Sequence, residues 1–139
     1  MLKLTDYTSY ADARTHFSNE ALWKLFDGNR DRLNIAHECI DRHAIDPDRI
    51  AVRIAHEDGR DEFITFDAIS SWSSRFAHDL AARGVKRGDR IAVMLEPSLA
   101  FYACIFGCMK YGAIAVPMFT LFGPCLLYTS DAADDSVLV

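Results

Sequence analysis

The chain has 139 residues, half of them hydrophobic and a quarter charged, proportions that are typical of globular domains able to bury a core. The net charge of −5 argues against nucleic-acid binding, which depends on clustered basic side chains. The longest apolar-rich run, residues 91–122, is interrupted by charged residues, glycine and proline, so we expect no membrane span. The first residues lack the apolar core of a signal peptide. We therefore expect a cytoplasmic protein with one domain.

The four cysteines do not follow the spacing of a metal site. None forms a Cys-x-x-Cys pair, and no histidine stands at ligand spacing to Cys104 and Cys108. These two residues are four apart, so a helix places both on one face, and free cysteine is among the most buried residue types. We expect no metal site and no disulfide, and we interpret the cysteines as core thiols: Cys39, Cys104, Cys108 and Cys125.

The first part of the chain predicts two helices. Apolar residues favour one side of residues 10–26, and Asp27-Gly28-Asn29 supplies the turn that ends this helix. A second helix is predicted for residues 35–43, with Asn34 as its N-cap. The apolar stripe of the second helix consists of Ile35, Cys39 and Ile40.

A β-hairpin is predicted next. Residues 50–55 and 62–65 are rich in apolar and β-branched side chains, and the turn residues Asp58-Gly59-Arg60 stand between them. A glycine-containing turn between two such runs is the typical short-range signal of paired antiparallel strands. The chain break at Pro47 separates this hairpin from the preceding helix.

A longer helix is predicted from the end of the hairpin to Ala82. Thr65 and Asp67 are both suitable N-caps, and Gly84 is placed to close the helix at its C-terminus. Apolar side chains recur along the helix at spacings of three, four and four residues. We expect a buried face made of Ile69, Trp72, Phe76 and Leu80.

The following segment predicts a strand, a helix and a second strand. Residues 91–95 and 113–116 lack polar alternation, which is typical of strands covered on both faces. Residues 99–111 are apolar nearly all round and predict a buried helix, capped by Ser98 and ended by Gly112. Such βαβ units are almost always right-handed and build an α/β sheet. Among residues 48–124 we expect these to be buried: Trp72, Phe76, Leu80, Val93, Phe101, Ile105 and Val116.

One segment stands where open α/β sheets bind ligands. Glu96-Pro97-Ser98 follows the first of these two strands, and its carboxyl end is the edge at which such sheets hold their ligands. Ser98 as a simple helix cap is the favoured interpretation. Gly88 and Gly112 are interpreted as turn glycines, because neither belongs to a glycine-rich phosphate-binding turn.

Histidines and aspartates are scattered over different predicted elements and mainly on polar faces. A histidine with a nearby carboxylate is a usual arrangement for proton transfer near neutral pH, but the scatter does not favour it here. His16 is unassigned. We expect a solvated surface and no catalytic pair for His37, His43, His56 and His78 with Asp41, Asp46 and Asp79.

Three segments resemble motifs of the acyl-adenylate-forming superfamily. Residues 63–69 resemble its motif Leu-Thr-Tyr-x-Glu-Leu, with Phe66 in the place of Tyr and Ala68 in the place of Glu. Residues 84–93 resemble its turn and strand Gly-Val-x-x-Gly-Asp-x-Val, and residues 109–117 resemble Leu-Lys-x-Gly-x-x-x-Val-Pro. In their order and spacing, these segments are similar to the opening of AMP-forming acyl-CoA synthetases.

The resemblance covers residues 10–124 and includes an upstream helix at residues 34–43, which is similar to that of acetyl and medium-chain CoA ligases. It implies the N-terminal part of the large α/β adenylate-forming domain. The implied reaction joins a carboxylic acid to AMP from ATP with Mg²⁺, and CoA then displaces AMP. In the family, the residues that cradle phosphate and neutralise charge lie downstream of Pro124. We therefore expect no catalytic, cofactor-binding or metal-binding residue in this chain, and no activity from it alone.

The tail, residues 125–139, fits neither the family nor the preceding fold. Its first ten residues resemble the translation of a transposase library adapter, and we interpret the whole tail as an artefactual, disordered segment outside a domain of residues 1–124. Tyr128-Thr129-Ser130 matches the start of the family's phosphate-binding loop. Asp131 stands where that loop needs glycine and would repel phosphate, so we interpret the match as coincidence.

A second interpretation stays open at this point. The chain would then be a free-standing small α/β module without enzyme chemistry, which binds a ligand or partner at the sheet edge near Glu96. A longer reading frame beyond Pro124 distinguishes the two interpretations. The residues do not indicate which acyl group is used, because the pocket that binds and selects the acyl group belongs to the downstream part of the family's domain.

Overall fold

A computed structural model describes residues 3–121. The chain divides into two compact units, Met1–Asn34 and Ile35–Val139. The described part of the first unit is helical, and that of the second contains helices and strands. The helices are α1 (Tyr10–Thr15), α2 (Asn19–Trp23), α3 (Ile35–Cys39), α4 (Phe66–Ala82) and α5 (Leu99–Tyr111); the strands are β1 (Ile50–Ala55), β2 (Asp61–Thr65), β3 (Arg90–Val93) and β4 (Ile114–Pro117); 3-10 turns span Leu4–Asp6 and Asp41–His43.

The first unit contains two short helices, α1 and α2, where the sequence predicts one. At the end of α1, the hydroxyl of Thr15 donates a hydrogen bond to the carbonyl oxygen of Ala11 at 2.9 Å. Ser18 then begins α2, because its hydroxyl accepts a hydrogen bond from the amide of Ala21 at 3.1 Å, the usual geometry of an N-cap. The single helix predicted for residues 10–26 is therefore wrong in its continuity.

The second predicted helix, residues 35–43, is also interrupted. α3 ends at Cys39, and the chain continues into the tighter 3-10 turn. This change of winding breaks the 3.6-residue period on which the predicted stripe depends. Ile40 enters the core, as expected, whereas Ile35 and Cys39 are exposed. The interpretation of Cys39 as a core thiol is therefore wrong, and α3 instead buries Glu38.

The hairpin is confirmed. β1 and β2 pair in antiparallel register, with an irregularity between Ile50 and Val52. The connecting turn is closed by a hydrogen bond from the amide of His56 to the carbonyl oxygen of Arg60 at 2.9 Å. Gly59 has φ +84°, a conformation that a residue without Cβ adopts at low cost.

The bounds of α4 agree with the sequence prediction. The hydroxyl of Thr65 accepts a hydrogen bond from the amide of Ala68 at 3.1 Å, so Thr65 is the N-cap. Gly84, with φ +79°, follows the last turn of the helix. The amide of Val85 then donates to the carbonyl oxygen of Leu80 at 3.1 Å, which satisfies one of the carbonyl groups that a helix end leaves open.

Ile69 and Leu80 on α4 are buried as predicted, but the buried face differs from the prediction at Trp72, because α4 and α5 approach through small residues. A Cβ on Gly107 would lie 2.8 Å from the carbonyl oxygen of Ser73 and 2.8 Å from Cδ1 of Phe76. Ser73 is accordingly fully buried. Trp72 is one residue away, about 100° around the helix, and is 51% exposed. The predicted burial of Trp72 is wrong. The contact between α4 and α5 at Gly107 requires a small side chain on α4, and a prediction based on the spacing of apolar residues does not select a serine.

β3 and β4 pair in parallel, with α5 between them in the sequence. The hydroxyl of Ser98 accepts a hydrogen bond from the amide of Phe101 at 3.2 Å, and Gly112 ends α5 with φ +93°. Val93 is buried as predicted, whereas Val116 is 37% exposed. The predictions of strands covered on both faces and of a buried Val116 are therefore wrong for the described residues, because Ile114 and Val116 of β4 stay exposed although α5 contacts both strands.

Two clusters of buried residues form the core of the second unit. One is centred on Ile64 and Ile69 and joins the hairpin to α4 and α5. The other is centred on Leu80 and Cys108 and joins α4, α5 and the parallel strands. The predicted mixed α/β architecture is confirmed. Within residues 3–121, no helix is long and apolar enough to cross a membrane. Three residues predicted to be buried are half-buried: Phe76, Phe101 and Ile105.

Candidate functional site

The carboxyl ends of β3 and β4 lie side by side because the two strands are parallel. Val93 pairs with Pro117 at the last position of the register. One residue further, the amide of Met118 donates a hydrogen bond to the carbonyl oxygen of Val93 at 2.9 Å. The segments that follow the two strands therefore form one edge of the sheet, the position at which open α/β sheets bind ligands. The sequence places Glu96-Pro97-Ser98 at this edge.

A cavity of about 410 Å³ opens at this edge, within the size range of small-molecule sites. Two further cavities, of about 450 and 500 Å³, are lined by residues between 4 and 30, none of which belongs to a strand. We take the edge cavity as the candidate site because the strand ends converge on it. Its lining residues are Leu95, Glu96, Pro97, Phe101, Pro117, Met118, Phe119 and Thr120.

The polar groups of the edge cavity bind one another. The carboxylate of Glu96 accepts a hydrogen bond from the hydroxyl of Thr120. The hydroxyl of Ser98 donates to the carbonyl oxygen of Glu96 at 3.0 Å, so Ser98 is both the N-cap of α5 and a brace for the loop before it. The lining contains no lysine or arginine. These described residues therefore do not fit a nucleotide phosphate, which basic side chains and backbone amides usually hold.

A polar cluster positions α5 from its other side. The Nζ of Lys110 lies 2.6 Å from Oδ1 of Asp41 and donates to the carbonyl oxygen of Ser70 at 3.0 Å and the hydroxyl of Ser74 at 2.9 Å. The hydroxyl of Ser70 also donates to Asp41 at 2.6 Å. This cluster joins α5 to α4 and to the 3-10 turn at residues 41–43. Sequence reasoning did not assign it, although a lysine on an otherwise apolar helix was the available signal.

The start of β4 is fixed by contacts with the loop between α4 and β3. The hydroxyl of Tyr111 donates to the carbonyl oxygen of Val85. The amide of Gly88 donates to the carbonyl oxygen of Gly112 at 2.8 Å. A Cβ on Gly112 would lie 3.0 Å from Nε of Arg87. Gly88 and Gly112 thus occupy turns, with positive φ, as the sequence analysis interpreted them.

The histidines lie in separate parts of the described chain. The ring of His16 stacks on Tyr7 with centroids 4.8 Å apart, and the ring of His43 lies 5.3 Å from that of Phe66. Nε2 of His56 lies 3.5 Å from the carboxylate of Glu62 on the neighbouring strand. His37 and His78 are exposed.

The aspartates considered with these histidines bind other partners. Asp41 belongs to the cluster around Lys110, and Asp79 accepts a hydrogen bond from Arg83 at 2.7 Å. The carboxylate of Asp46 accepts a hydrogen bond from the amide of Asp48 at 3.1 Å, in the turn before β1. In residues 3–121 no group of three or more His, Cys, Asp or Glu side chains is arranged to hold a metal ion.

Cys104 and Cys108 lie on α5 away from a reactive environment. Cys108 is fully buried, and burial raises the pKa of its thiol to about 11, with a smaller contribution from Cys104. Burial also raises the pKa of the half-buried Cys104. Because the thiolate is the reactive form, the raised pKa values disfavour reaction of either thiol near neutral pH. The predicted core position is confirmed for Cys108, whereas Cys104 is half-buried.

A family model described as "AMP-binding enzyme" matches residues 40–138. This range contains all of the described strands as well as α4 and α5. It also reaches into the tail that the sequence analysis assigns to an adapter. That assignment remains a prediction.

Curated relatives resemble the chain over most of its length. The acetyl-coenzyme A synthetase of Bacillus subtilis (strain 168) is 36% identical over 117 residues, which is 82% of this chain and 20% of the relative. The acetyl-coenzyme A synthetase of Penicillium chrysogenum is 35% identical over 113 residues, 77% of this chain and 15% of the relative. The chain thus spans a fifth or less of the length of these relatives.

Solved structures show the same fold. An acyl-CoA synthetase from Brucella canis superposes on 91% of this chain with a TM-score of 0.78 and 31% identity, and the match covers 23% of that protein. A fatty acyl CoA synthetase from Mycobacterium tuberculosis matches 70% of this chain with a TM-score of 0.57 and 27% identity, over 19% of that protein.

Proposed function

The chain belongs to the AMP-binding enzyme family, and we propose that it forms the N-terminal part of the large domain of an AMP-forming carboxylic acid:CoA ligase. The observation that carries this proposal is the combined likeness in fold and sequence to the Brucella canis acyl-CoA synthetase over 91% of the chain. The names of the curated relatives support an acyl-CoA-forming branch and make acetate the first acid to test.

The proposed reaction of the whole enzyme has two steps. A carboxylate attacks the α-phosphate of ATP, which releases pyrophosphate and forms an acyl-adenylate. The thiol of CoA then attacks the acyl carbon and releases AMP. The family implies ATP, Mg²⁺ and CoA for this chemistry, with Mg²⁺ neutralising phosphate charge.

The described residues support a structural role in that reaction. The edge cavity has apolar walls and no basic side chain, so the groups that hold phosphate and Mg²⁺ are proposed to lie outside residues 3–121. These residues hold the edge of the sheet in place. The polar cluster around Lys110 and the close contact at Gly107 fix α5 against α4, and α5 in turn connects the two strands that end at the cavity.

We further propose that the native protein departs from the printed sequence after Pro124. Residues 125–139 lie beyond the residues that the structure describes, so the disorder of this tail stays a prediction. The support is the adapter-like sequence itself and the aspartate at position 131, where the family's loop has glycine. Sequencing the source DNA past the Pro124 codon tests the assignment. An uninterrupted native frame through the codons of residues 125–139 would contradict it.

The function is tested on the protein that contains residues 1–124 followed by its native continuation. We expect pyrophosphate release that requires both ATP and a carboxylic acid, together with loss of the free CoA thiol. Acetate, butyrate, octanoate and benzoate are compared, and mixtures lacking the acid or CoA are the controls. Adenylate formation with no consumption of CoA would contradict the CoA-ligase branch. No pyrophosphate with any of these acids would favour the free-standing binding module.

A further inference from the structure

The segment after β4, residues 118–121, is here called the edge strap. Three of its residues, Met118, Phe119 and Thr120, line the edge cavity. The edge strap and the loop after β3, which includes Leu95 and Glu96, therefore both line the cavity. Where the edge strap lies decides how open the cavity is.

Hydrogen bonds at Met118 and Thr120 tie the edge strap to the end of β3 and the loop after it. The amide of Met118 donates to the carbonyl oxygen of Val93 at 2.9 Å, which continues the pattern of the parallel strands by one residue. Two residues later, the hydroxyl of Thr120 donates to the carboxylate of Glu96. This second bond joins two side chains at the exposed rim of the cavity.

Glu96, the acceptor of this second bond, is itself held in place by Ser98. The carbonyl oxygen of Glu96 accepts a hydrogen bond from the hydroxyl of Ser98 at 3.0 Å, and the same hydroxyl accepts one from the amide of Phe101 at 3.2 Å in the first turn of α5. The main chain of Glu96 is thus anchored to the start of a 13-residue helix.

The edge strap itself buries little apolar surface. Phe119 is 72% exposed and Leu121 is 92% exposed. Segments with little buried apolar area open locally at a small free-energy cost, without unfolding of the rest of the protein. The hydrogen bond between Thr120 and Glu96 is therefore one of the contacts that hold the edge strap in place, beside the hydrogen bond of Met118 and the contacts of Phe119.

We propose that Glu96 and Thr120 form a latch that holds the edge strap across the cavity. Release of their hydrogen bond lets residues 118–121 move off the sheet edge as one unit, while β3, α5 and β4 stay folded. The latch is a conformational device of this chain and does not rest on the proposed function, so the two succeed or fail independently.

The test compares two substitutions of Thr120 in the 139-residue chain. Thr120→Val keeps the shape of the side chain and removes its donor, and Thr120→Ser keeps the donor. For the valine variant we expect about three- to tenfold faster hydrogen exchange at the amide of Met118, and unchanged exchange in α5. The serine variant should match the original chain. Glu96→Ala should reproduce the valine variant, and combining the two should add nothing further.

A second readout reports on the cavity directly. Dilute hydrogen peroxide converts the thioether of Met118, which lines the cavity, to the sulfoxide. The rate of Met118 oxidation should rise in the valine variant. Oxidation of Met109, which is 37% exposed on α5, serves as an internal reference. Equal Met118 rates in the valine and serine variants would overturn the latch. Loss of protection throughout α5 and β4 in the valine variant would also overturn it, because the bond would then be part of the global fold.

Discussion

At the scale of single residues, Lys110 joins three elements through one ammonium group. Its side chain is only 12% exposed and that of Asp41 is 29% exposed. Lys110→Met keeps the apolar stem but removes the ammonium group beside the Asp41 carboxylate, which retains the hydrogen bond from the hydroxyl of Ser70. We expect the free energy of unfolding to fall by about 1–3 kcal/mol, since a partly buried carboxylate loses its ionic partner and the acceptors on Ser70 and Ser74 lose their donor. Urea denaturation measures the change.

Lys86→Met provides the matched control for this prediction. Lys86 is exposed in the loop after α4, so its loss should change the free energy of unfolding by less than about 0.5 kcal/mol. A change at Lys110 as small as that at Lys86 would show that the cluster does not brace α5.

Cys108 is expected to lower the free energy of unfolding at alkaline pH. Burial raises the pKa of its thiol to about 11 in the folded chain, from an ordinary value of 9.0. The folded state thus favours the neutral thiol. The contribution of Cys108 to the free energy of unfolding is therefore complete below about pH 9 and is lost as the pH rises towards 11. We expect the free energy of unfolding to fall over this window, and less steeply in Cys108→Ala. Urea titrations at pH 8, 9, 10 and 11 measure it, and an equal slope in both proteins would contradict the assignment.

At the scale of elements, the contact between α4 and α5 decides which side of α4 is buried. Ile69 is fully buried and Trp72 is 51% exposed, where it lies beneath the guanidinium of Arg75 at 5.3 Å from the ring centroid. Ile69→Ala should cost about 2–5 kcal/mol, because it leaves a cavity in the core. Trp72→Ala, although it removes more atoms, should cost less than about 1 kcal/mol. Denaturation of both variants gives the ranking, and the reverse order would show that Trp72 is buried, as the sequence predicts.

At the scale of the whole molecule, we expect the 139-residue chain alone to release no pyrophosphate from ATP. Adenylation requires groups preorganised around the phosphates, and loss of even one such donor commonly lowers the rate by about 10²–10³-fold. The resemblance assigns all of them to sequence that the family carries downstream of Pro124. The assay uses ATP, Mg²⁺ and CoA with acetate, butyrate, octanoate or benzoate. Acid-dependent pyrophosphate release above the no-acid control would contradict the expectation.

The helix caps and terminal turns of the second unit are readable from local sequence alone. Thr65 and Ser98 cap helices, and Gly84 and Gly112 end them with positive φ. These positions are readable because a cap or a left-handed turn depends on one side chain and its nearest neighbours along the chain. The ordered set of such signals also sufficed to indicate the family and to place Glu96 at the sheet edge.

Which side chains are buried and which polar groups bind one another depends on contacts between distant segments, and these are visible only in the folded chain. Trp72 fits the apolar period of α4 better than Ser73, yet the approach of Gly107 selects the small residue. Lys110 reaches partners that are 36 to 69 residues earlier in the chain, Ser74 and Asp41 among them. The cavity and its latch arise because two parallel strand ends are side by side. Each of these depends on contacts between distant segments, and the local pattern of a sequence does not encode those distances.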